Sequence, residues 1–313
     1  MRSAHWLAAG SLIAGAGLAS GVARADDGEH GEGSNDGALV VSSVDESLDP
    51  TAPPTLPSLT HKDASLEFTF TAADIGSGAA TDTVASITRV DTEIPLGTRA
   101  WQMGFAWDLV TTTAPFGRVF SYGNPEVWFR GVGWHESGLS AGGGLGVVVP
   151  LPRDLSQNEE AVLDVIRVIR PWDTGYFMSN VFALRPVIDA RLVISPVVLQ
   201  LRQGLDLTYQ FDTGRSDIVG RIGTYAGVDA TDFMTFGLEL WQIYSITADV
   251  RDSRRASFSM SPSIRLRLGP VQPALSVMFP LTTPLEGIAS QYFAVRLQLR
   301  LALGRTARLP LEP

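Results

Sequence analysis

The amino-acid sequence predicts an all-β fold, a transmembrane antiparallel β-barrel of about 12 strands with one short helix in an external loop. Apolar and polar residues alternate along runs too long for ordinary globular strands, and the connections between these runs alternate in length. The chain contains no cysteine, so its stability must come from backbone pairing and packing. These observations predict a barrel over residues 62–304, followed by a C-terminal periplasmic tail over 305–313.

Residues 1–25 have the pattern of an N-terminal signal peptide. Arg2 precedes an apolar stretch, and Ala23 and Ala25 are small residues at the positions that a signal peptidase inspects. A permanent anchor helix is the alternative, whereas a lipid-anchored lipoprotein is excluded because it would need a cysteine. We therefore expect an exported protein that resides in the outer membrane.

Residues 26–61 form an acidic segment rich in Gly, Ser and Pro, which predicts a disordered tail or linker. This segment contains eight acidic residues and no Lys or Arg. A solvated tether is one interpretation, and a weak site for divalent cations or for a binding partner is the other. The rest of the mature chain carries 22 basic and 25 acidic residues, and this near-neutral balance argues against nucleic-acid binding.

The alternation is clearest in residues 196–211. Leu199 and Leu201 share one parity and Gln200 and Arg202 share the other, so a strand places the two sets on opposite faces. This run greatly exceeds the five or six residues, roughly, of an ordinary strand. It is long enough to cross a bilayer, which takes about 9 to 11 tilted residues.

The same pattern recurs elsewhere, with an apolar face opposite a polar or charged one, in residues 101–109, 181–194, 263–269 and 292–304. A soluble β-sandwich also alternates, but its strands are shorter and its turns recur about every 8 to 12 residues. In a transmembrane barrel the apolar face meets lipid, the polar face lines the interior, and closure removes unpaired edges. The length of the runs favours the barrel.

Twelve strands are predicted, near 64–72, 84–94, 99–110, 119–134, 139–150, 177–194, 196–211, 217–227, 232–248, 256–268, 271–283 and 289–303. The connections between them alternate, with long ones at 73–83, 111–118 and 151–176 and short ones between these. Outer-membrane barrels have long external loops, short periplasmic turns, an even strand number and both termini inside. Ten or fourteen strands are the alternatives.

One segment, residues 156–172, departs from the alternation and predicts a helix. Ser156 and Glu159 fit a capping box, and Pro171 ends the segment. Val162, Val165, Ile166 and Ile169 form an apolar stripe on this helix. The helix either packs on the rim of the barrel or folds into its mouth and restricts passage.

Residues 123–152, GNPEVWFRGVGWHESGLSAGGGLGVVVPLP, resemble a strand–turn–strand unit of the transporter-like outer-membrane barrels named for meta-pathway phenol degradation. In that family a Gly-Asn or Gly-Asp start, a Gly-rich returning strand and a terminal Leu-Pro recur, although Arg153-Asp154 stand here where the family tends to have Thr-Gly. The resemblance implies a conduit for small, hydrophobic or aromatic compounds.

Two overlapping motifs in this stretch bear on catalysis. Residues 138–142 match the G-x-S-x-G motif of an esterase nucleophile elbow. The sequence argues against an elbow here, because the following AGGGLG cannot begin the helix that the elbow requires. His135 and Ser137 share one parity, so His135 could activate Ser137 as in outer-membrane acyl hydrolases. The strand count places this pair in a periplasmic turn, and Gly138 follows where Asn is common. We therefore expect no enzymatic activity, with the acyl hydrolase as the alternative.

The inward parity of the predicted strands gives the strongest functional argument. An Arg facing lipid at mid-bilayer costs about 2 to 4 kcal/mol, so charged residues in the strands must face the interior. The predicted pore-lining residues are Arg185, Asp189, Arg191, Arg202, Asp206, Glu239, Arg265, Arg267, Arg296 and Arg300. The last three strands carry four of these arginines and no inward acid, which predicts a positive stripe that favours anionic or polar solutes. Interior salt bridges that serve stability alone are the alternative.

The function that these patterns indicate is an outer-membrane channel or transporter-like barrel that passes small solutes. A barrel-embedded acyl hydrolase and a non-conducting structural barrel are the alternatives. The expected partners are outer-membrane lipid, small solutes and the envelope machinery that inserts barrels. The three histidines of the mature chain, His30, His61 and His135, are too scattered for a metal site, and no cofactor is expected.

Overall fold

The computed structural model describes residues 64–76, 83–96, 101–114, 117–136, 138–152, 155–247, 256–282 and 291–303. The predicted signal peptide and acidic tail lie outside these residues, as does the predicted C-terminal tail. The strands are β1 (Ser65–Gly76), β2 (Thr83–Leu96), β3 (Trp101–Ala114), β4 (Gly117–Tyr122), β5 (Glu126–Glu136), β6 (Leu139–Val148), β7 (Val181–Ile194), β8 (Val197–Gln210), β9 (Arg215–Thr231), β10 (Met234–Ser245), β11 (Ala256–Leu266), β12 (Val271–Pro280) and β13 (Gln291–Ala302). Helix α1 (Gln157–Ile169) and a 3₁₀ segment (Pro171–Phe177) lie between β6 and β7.

The strands form one closed antiparallel barrel. Strands adjacent in sequence pair with each other, except that β4 and β5 both pair with β3. β1 closes the barrel by pairing with both β2 and β13. In this register Ser65 lies opposite Ala302, so the first and last strands begin and end at the same rim. We call this the terminal rim, and the opposite rim, where β6 leads into α1, the helix rim.

The barrel wall contains twelve strand positions, as predicted, because β4 and β5 occupy one position. Both pair with β3, and residues Gly123 to Pro125 interrupt them. The predicted long connection at 111–118 is wrong, because β3 continues to Ala114 and β4 begins at Gly117. Thr111 to Thr113 extend β3, since β-branched Thr favours strands over loops.

The outer face of the barrel is apolar, and its inner face is polar. In β8, Leu199 and Leu201 are 46% and 47% exposed, whereas the alternating Gln200 and Arg202 are 3% and 5% exposed. On β3 and β5 the outward Trp101 and Phe129 rings stack at 4.9 Å. Such a belt of apolar side chains and aromatic rings suits lipid contact. Within the described residues, no helix has the length and apolar character needed to cross a bilayer.

Candidate functional site

The segment between β6 and β7 begins with the predicted capping box. The Ser156 backbone N–H donates to the Glu159 carboxylate at 2.8 Å, and the Glu159 N–H donates to the Ser156 hydroxyl at 3.4 Å. These bonds satisfy backbone donors that the first turn of a helix leaves free. Helix α1 then runs to Ile169, where Arg170 and Pro171 lead into the 3₁₀ segment. We call residues 157–177 the inner segment.

The inner segment packs among inward-facing side chains of the barrel. In α1, Leu163 and Val168 are buried to the same degree as the predicted stripe residues Val162, Ile166 and Ile169, all at 2% exposure or less. Gln157, Asn158, Glu160 and Ala161, in the first turns of α1, stay exposed. The apolar core that these residues join includes wall residues near the helix rim, namely Ala73, Ile75, Ala85, Ile87, Val110, Val148, Met278 and Ala294. Of the two predicted positions, the helix therefore takes the one inside the mouth.

Ion pairs join the 3₁₀ segment to the wall. The Arg170 Nη1 lies 2.6 Å from Asp108 Oδ1 of β3, and the Arg170 Nη2 binds Asp173. From β7, the Arg185 Nη2 donates to the Trp172 carbonyl at 2.8 Å and to Asp173 at 2.9 Å. Burial alone would raise the pKa of Asp173, but the guanidinium groups of Arg170 and Arg185 hold that pKa below its ordinary value. Asp173 is therefore a buried carboxylate between two cations.

Aromatic residues of the inner segment also contact the wall. The Tyr176 hydroxyl donates to the Glu126 carboxylate. The centroid of its ring lies 5.0 Å from the guanidinium carbon of Arg89 and 4.7 Å from that of Arg185. On the other side, Trp172 stacks on Trp241 of β10, with ring centroids 5.1 Å apart. The inner segment thus crosses the interior between β2, β5 and β7 on one side and β10 on the other.

Asn124 fixes the end of the inner segment, a role that no sequence pattern above predicts. It lies in the gap between β4 and β5 and is fully buried. Its side-chain amide donates to the carbonyls of Gly175 and Met178 at 3.2 and 2.7 Å, and its backbone N–H donates to the Tyr176 carbonyl at 2.7 Å. The available signal was the Asn124-Pro125 pair, since such a pair marks a turn within a strand pattern.

Nine of the ten predicted pore-lining residues have 5% exposure or less in this closed barrel. These are Arg185, Asp189, Arg191, Arg202, Asp206, Glu239, Arg265, Arg296 and Arg300. On β7, β8 and β9 they pair with neighbours: Asp206 bridges Arg185 at 3.0 Å and Arg221 at 2.8 Å, and Arg202 binds Asp189 at 2.6 Å. This wall is therefore largely charge-compensated.

The predicted positive stripe differs in two ways from expectation. Arg267 follows the end of β11 and binds Asp229 at 2.5 Å, at the terminal rim. Arg300 binds Glu93 of β2 at 2.7 Å, and Gln298 donates to Glu67 of β1 at 3.0 Å. β11 to β13 contain no acid of their own, but barrel closure brings acids of β1 and β2 beside β13, so the stripe is partly compensated.

Small inward glycines make room for these large side chains. A Cβ at Gly146 of β6 would lie 1.9 Å from the Glu126 Oε1 atom and 3.4 Å from the Arg185 Cβ. At Gly104 of β3 it would lie 2.2 Å from the Trp128 ring and 2.3 Å from the Thr92 carbonyl oxygen. Inward glycines therefore let charged and aromatic side chains lie flat against the neighbouring strand.

A cavity of about 120 Å³ lies within the barrel, beside the inner segment. Eight arginines and five acids line it, together with the rings of Trp128, Trp172, Tyr176 and Trp241. The arginines are Arg89, Arg130, Arg170, Arg185, Arg202, Arg221, Arg296 and Arg300, and the acids are Glu67, Asp91, Glu93, Glu126 and Asp173. Acids behind the lining offset its excess of arginine, because Asp108 pairs with Arg89 and Arg170, Asp206 with Arg185 and Arg221, and Asp189 with Arg202. The inner segment forms part of the lining.

The alternative catalytic pair cannot be placed. Ser137 and the side chain of His135 lie outside the described residues, so the acyl hydrolase stays a prediction that a Ser137→Ala variant tests. Within the part of the chain that is described, no group of three His, Cys, Asp or Glu side chains could hold a metal ion.

Comparison with known proteins bears on the fold. An outer-membrane channel from Pseudomonas putida F1 is similar, with a TM-score of 0.58 and 8% identity over 81% of this chain and 99% of that chain. Two weaker matches are LpxR from Salmonella typhimurium (TM-score 0.41, 9% identity, 75% of this chain and 99% of that chain) and an anion-selective porin from Comamonas acidovorans (TM-score 0.38, 9% identity, 76% and 98%). No family model and no curated protein matches the sequence. The chain has the fold of an outer-membrane β-barrel.

Proposed function

We propose that this protein is an outer-membrane channel for small solutes, with a lumen that the inner segment narrows and that favours anions. The observation that carries the proposal is a closed barrel with an apolar outer face and a charged inner face. Stability alone would not require charged side chains in the barrel interior, because apolar packing often replaces buried ion pairs without loss of stability. The P. putida channel supports the same interpretation through its fold.

Two features of the interior support a narrow path. The inner segment fills the lumen near the helix rim with apolar side chains, and the cavity beside it measures about 120 Å³. Solutes in a wide porin cross a water-filled lumen, whereas a small barrel packs its interior with side chains. We therefore expect conductance well below that of a general porin, and exclusion of large sugars.

Two arginines of the cavity lining, Arg130 and Arg296, each have an enclosed guanidinium nitrogen without a hydrogen-bond partner. These free donors support anion preference, since a charged constriction attracts ions of opposite sign and repels like charges. Planar-bilayer recordings of the purified protein in a salt gradient test this proposal. The expected result is small, anion-selective conductance, and liposome swelling with small solutes only. Cation selectivity would overturn the preference. The absence of conductance and swelling, both in wild-type protein and in variants that loosen the inner segment, would overturn the channel.

A non-conducting structural barrel is the second candidate, favoured by the close packing of the inner segment against the wall. The same recordings separate the two functions. If wild-type protein is silent, variants that loosen the inner segment distinguish a closed channel, which then conducts, from a filled barrel, which stays silent.

A further inference from the structure

Two of the eight cavity arginines, Arg130 and Arg296, lack a carboxylate partner among the described residues. The other six each bind at least one acid within 4.0 Å: Arg89, Arg170, Arg185, Arg202, Arg221 and Arg300. In both Arg130 and Arg296 the Nη1 atom is enclosed and has no hydrogen-bond partner. The guanidinium of Arg130 lies 3.8 Å from the Trp128 ring centroid, whereas Arg296 is the more deeply buried of the two, at 2% exposure.

Arg296 lies between Thr71 and Ser276 in the sheet, and its guanidinium group contacts an apolar and an aromatic side chain. Its Nη2 lies 3.6 Å from the Met278 sulfur, and its guanidinium carbon lies 5.8 Å from the Trp172 ring centroid. Trp172 in turn stacks on Trp241, and both indoles line the same cavity as Arg296. Among the charged groups, the Glu239 carboxylate acts most strongly on Arg296. A buried cation without a paired acid is costly, and such a group calls for an explanation such as a bound ion.

We propose that this cavity binds a small organic monocarboxylate, with its carboxylate on Arg296 and its apolar part against Trp172 and Trp241. The planar guanidinium matches a carboxylate through two parallel hydrogen bonds, and indole faces cover apolar surface. An inorganic anion would make no use of the apolar surface that Trp172 and Trp241 add to the cavity lining. An uncharged molecule would leave the guanidinium unpaired. The proposal rests on the proposed function for its place in a solute path, but binding itself requires no conduction.

Titration of purified full-length protein with butyrate, followed by tryptophan fluorescence, tests the site. Trp172 and Trp241 are two of the seven tryptophans of the chain, and butyrate does not absorb where they emit. Butyramide, an uncharged analogue, and inorganic phosphate, an anion without an apolar part, are the comparison ligands. We expect each to bind at least about tenfold more weakly than butyrate, a difference of about 1.4 kcal/mol. Equal affinity of either, or no saturable response to butyrate, overturns the proposal.

Substitution of Arg296 tests whether this residue binds the carboxylate. Arg296→Gln and the apolar Arg296→Met are both expected to lower butyrate affinity about tenfold or more. Arg215→Gln is the matched control, because this side chain is 57% exposed and pairs with Asp217 away from the cavity lining. If Arg296→Gln retains butyrate affinity, or if only Arg130→Gln loses it, the assignment to Arg296 is overturned. If the Arg296 variants fail to fold, the three-ligand series on wild-type protein decides.

Recordings on the same preparation keep the two proposals apart. Selective butyrate binding without conductance would remove the channel function and leave the site. Anion-selective conductance without butyrate binding would remove the site and leave the channel.

Discussion

Arg170 of the inner segment and Asp108 of β3 form an ion pair of 2.6 Å across the barrel interior. Asp108 is fully buried and also accepts a hydrogen bond from Arg89 at 3.0 Å, so one carboxylate holds two cations. Arg170 belongs to the inner segment and Asp108 to the barrel wall. The Asp108 carboxylate therefore helps to hold the inner segment inside the lumen.

Replacing Asp108 by Asn is expected to loosen the inner segment and raise single-channel conductance. The substitution keeps the shape but removes the charge, leaving Arg170 with Asp173 and Arg89 with Asp91. Loss of a hydrogen bond to a charged group costs about 1.5 to 3 kcal/mol. The free energy of unfolding, measured by urea denaturation, should therefore fall by that amount. Asp217→Asn, which removes the carboxylate partner of the exposed Arg215 side chain, is the control and should change neither quantity. Unchanged conductance in the Asp108 variant would contradict the prediction.

The barrel could be predicted from the sequence because its signal is local. Alternation in a run such as 196–211 fixes which side chains of β8 face outward, and the capping residues Ser156 and Glu159 mark the start of α1 within one turn. Both signals depend only on residues close in sequence. The strand number followed from the same runs, even though the boundaries at Ala114 and Gly117 did not.

The position and partners of the inner segment could not be predicted, because they depend on long-range closure. Arg170 and Asp108 are 62 positions apart, and Arg300 and Glu93 are 207 apart. The alternation of apolar and polar residues along a strand carries no information about ion pairs between such distant residues. The strand interruption at Asn124 was also missed, since apolar alternation continues on either side of it and hides the break.

Cysteine labelling should separate the two faces of β1, because the chain has no native cysteine to interfere. Thr69 lines the cavity and is 7% exposed, whereas the adjacent Phe70 faces outward and is 44% exposed. We expect a small water-soluble thiol reagent to modify Thr69→Cys, with an anionic reagent faster than a cationic one of equal size. Phe70→Cys in lipid vesicles should instead react with a membrane-soluble maleimide. If the water-soluble reagent modified Phe70→Cys but not Thr69→Cys, the assignment of Thr69 to the inner face and Phe70 to the outer face would be wrong.

Gly104→Ala should destabilise the barrel by about 1 to 3 kcal/mol, the usual effect of overpacking. The new methyl would meet the Trp128 ring and the Thr92 carbonyl oxygen, and the latter belongs to the paired backbone of β2 and cannot move aside cheaply. Gly133→Ala is the control, because its Cβ would have only the Ala141 carbonyl oxygen, 4.0 Å away, within contact distance. The stability of both variants is measured by their midpoints of urea unfolding in detergent. Equal midpoints would contradict the close packing of the Trp128 ring over Gly104.

Acid should release the inner segment only below the ordinary carboxyl range. The pKa of Asp173 is depressed in the folded protein despite burial, because Arg170 and Arg185 favour the carboxylate. The stability that this group contributes is therefore fully present above the unfolded pKa of about 3.9 and is lost as pH falls through the lower folded value. Single-channel conductance should stay constant from neutral pH down to about 4 and rise below it. In Asp173→Asn the conductance should already be raised at neutral pH and should vary less in acid, whereas the exposed Asp164→Asn should behave as wild type. A rise in wild-type conductance near pH 6 would show that another group controls the inner segment.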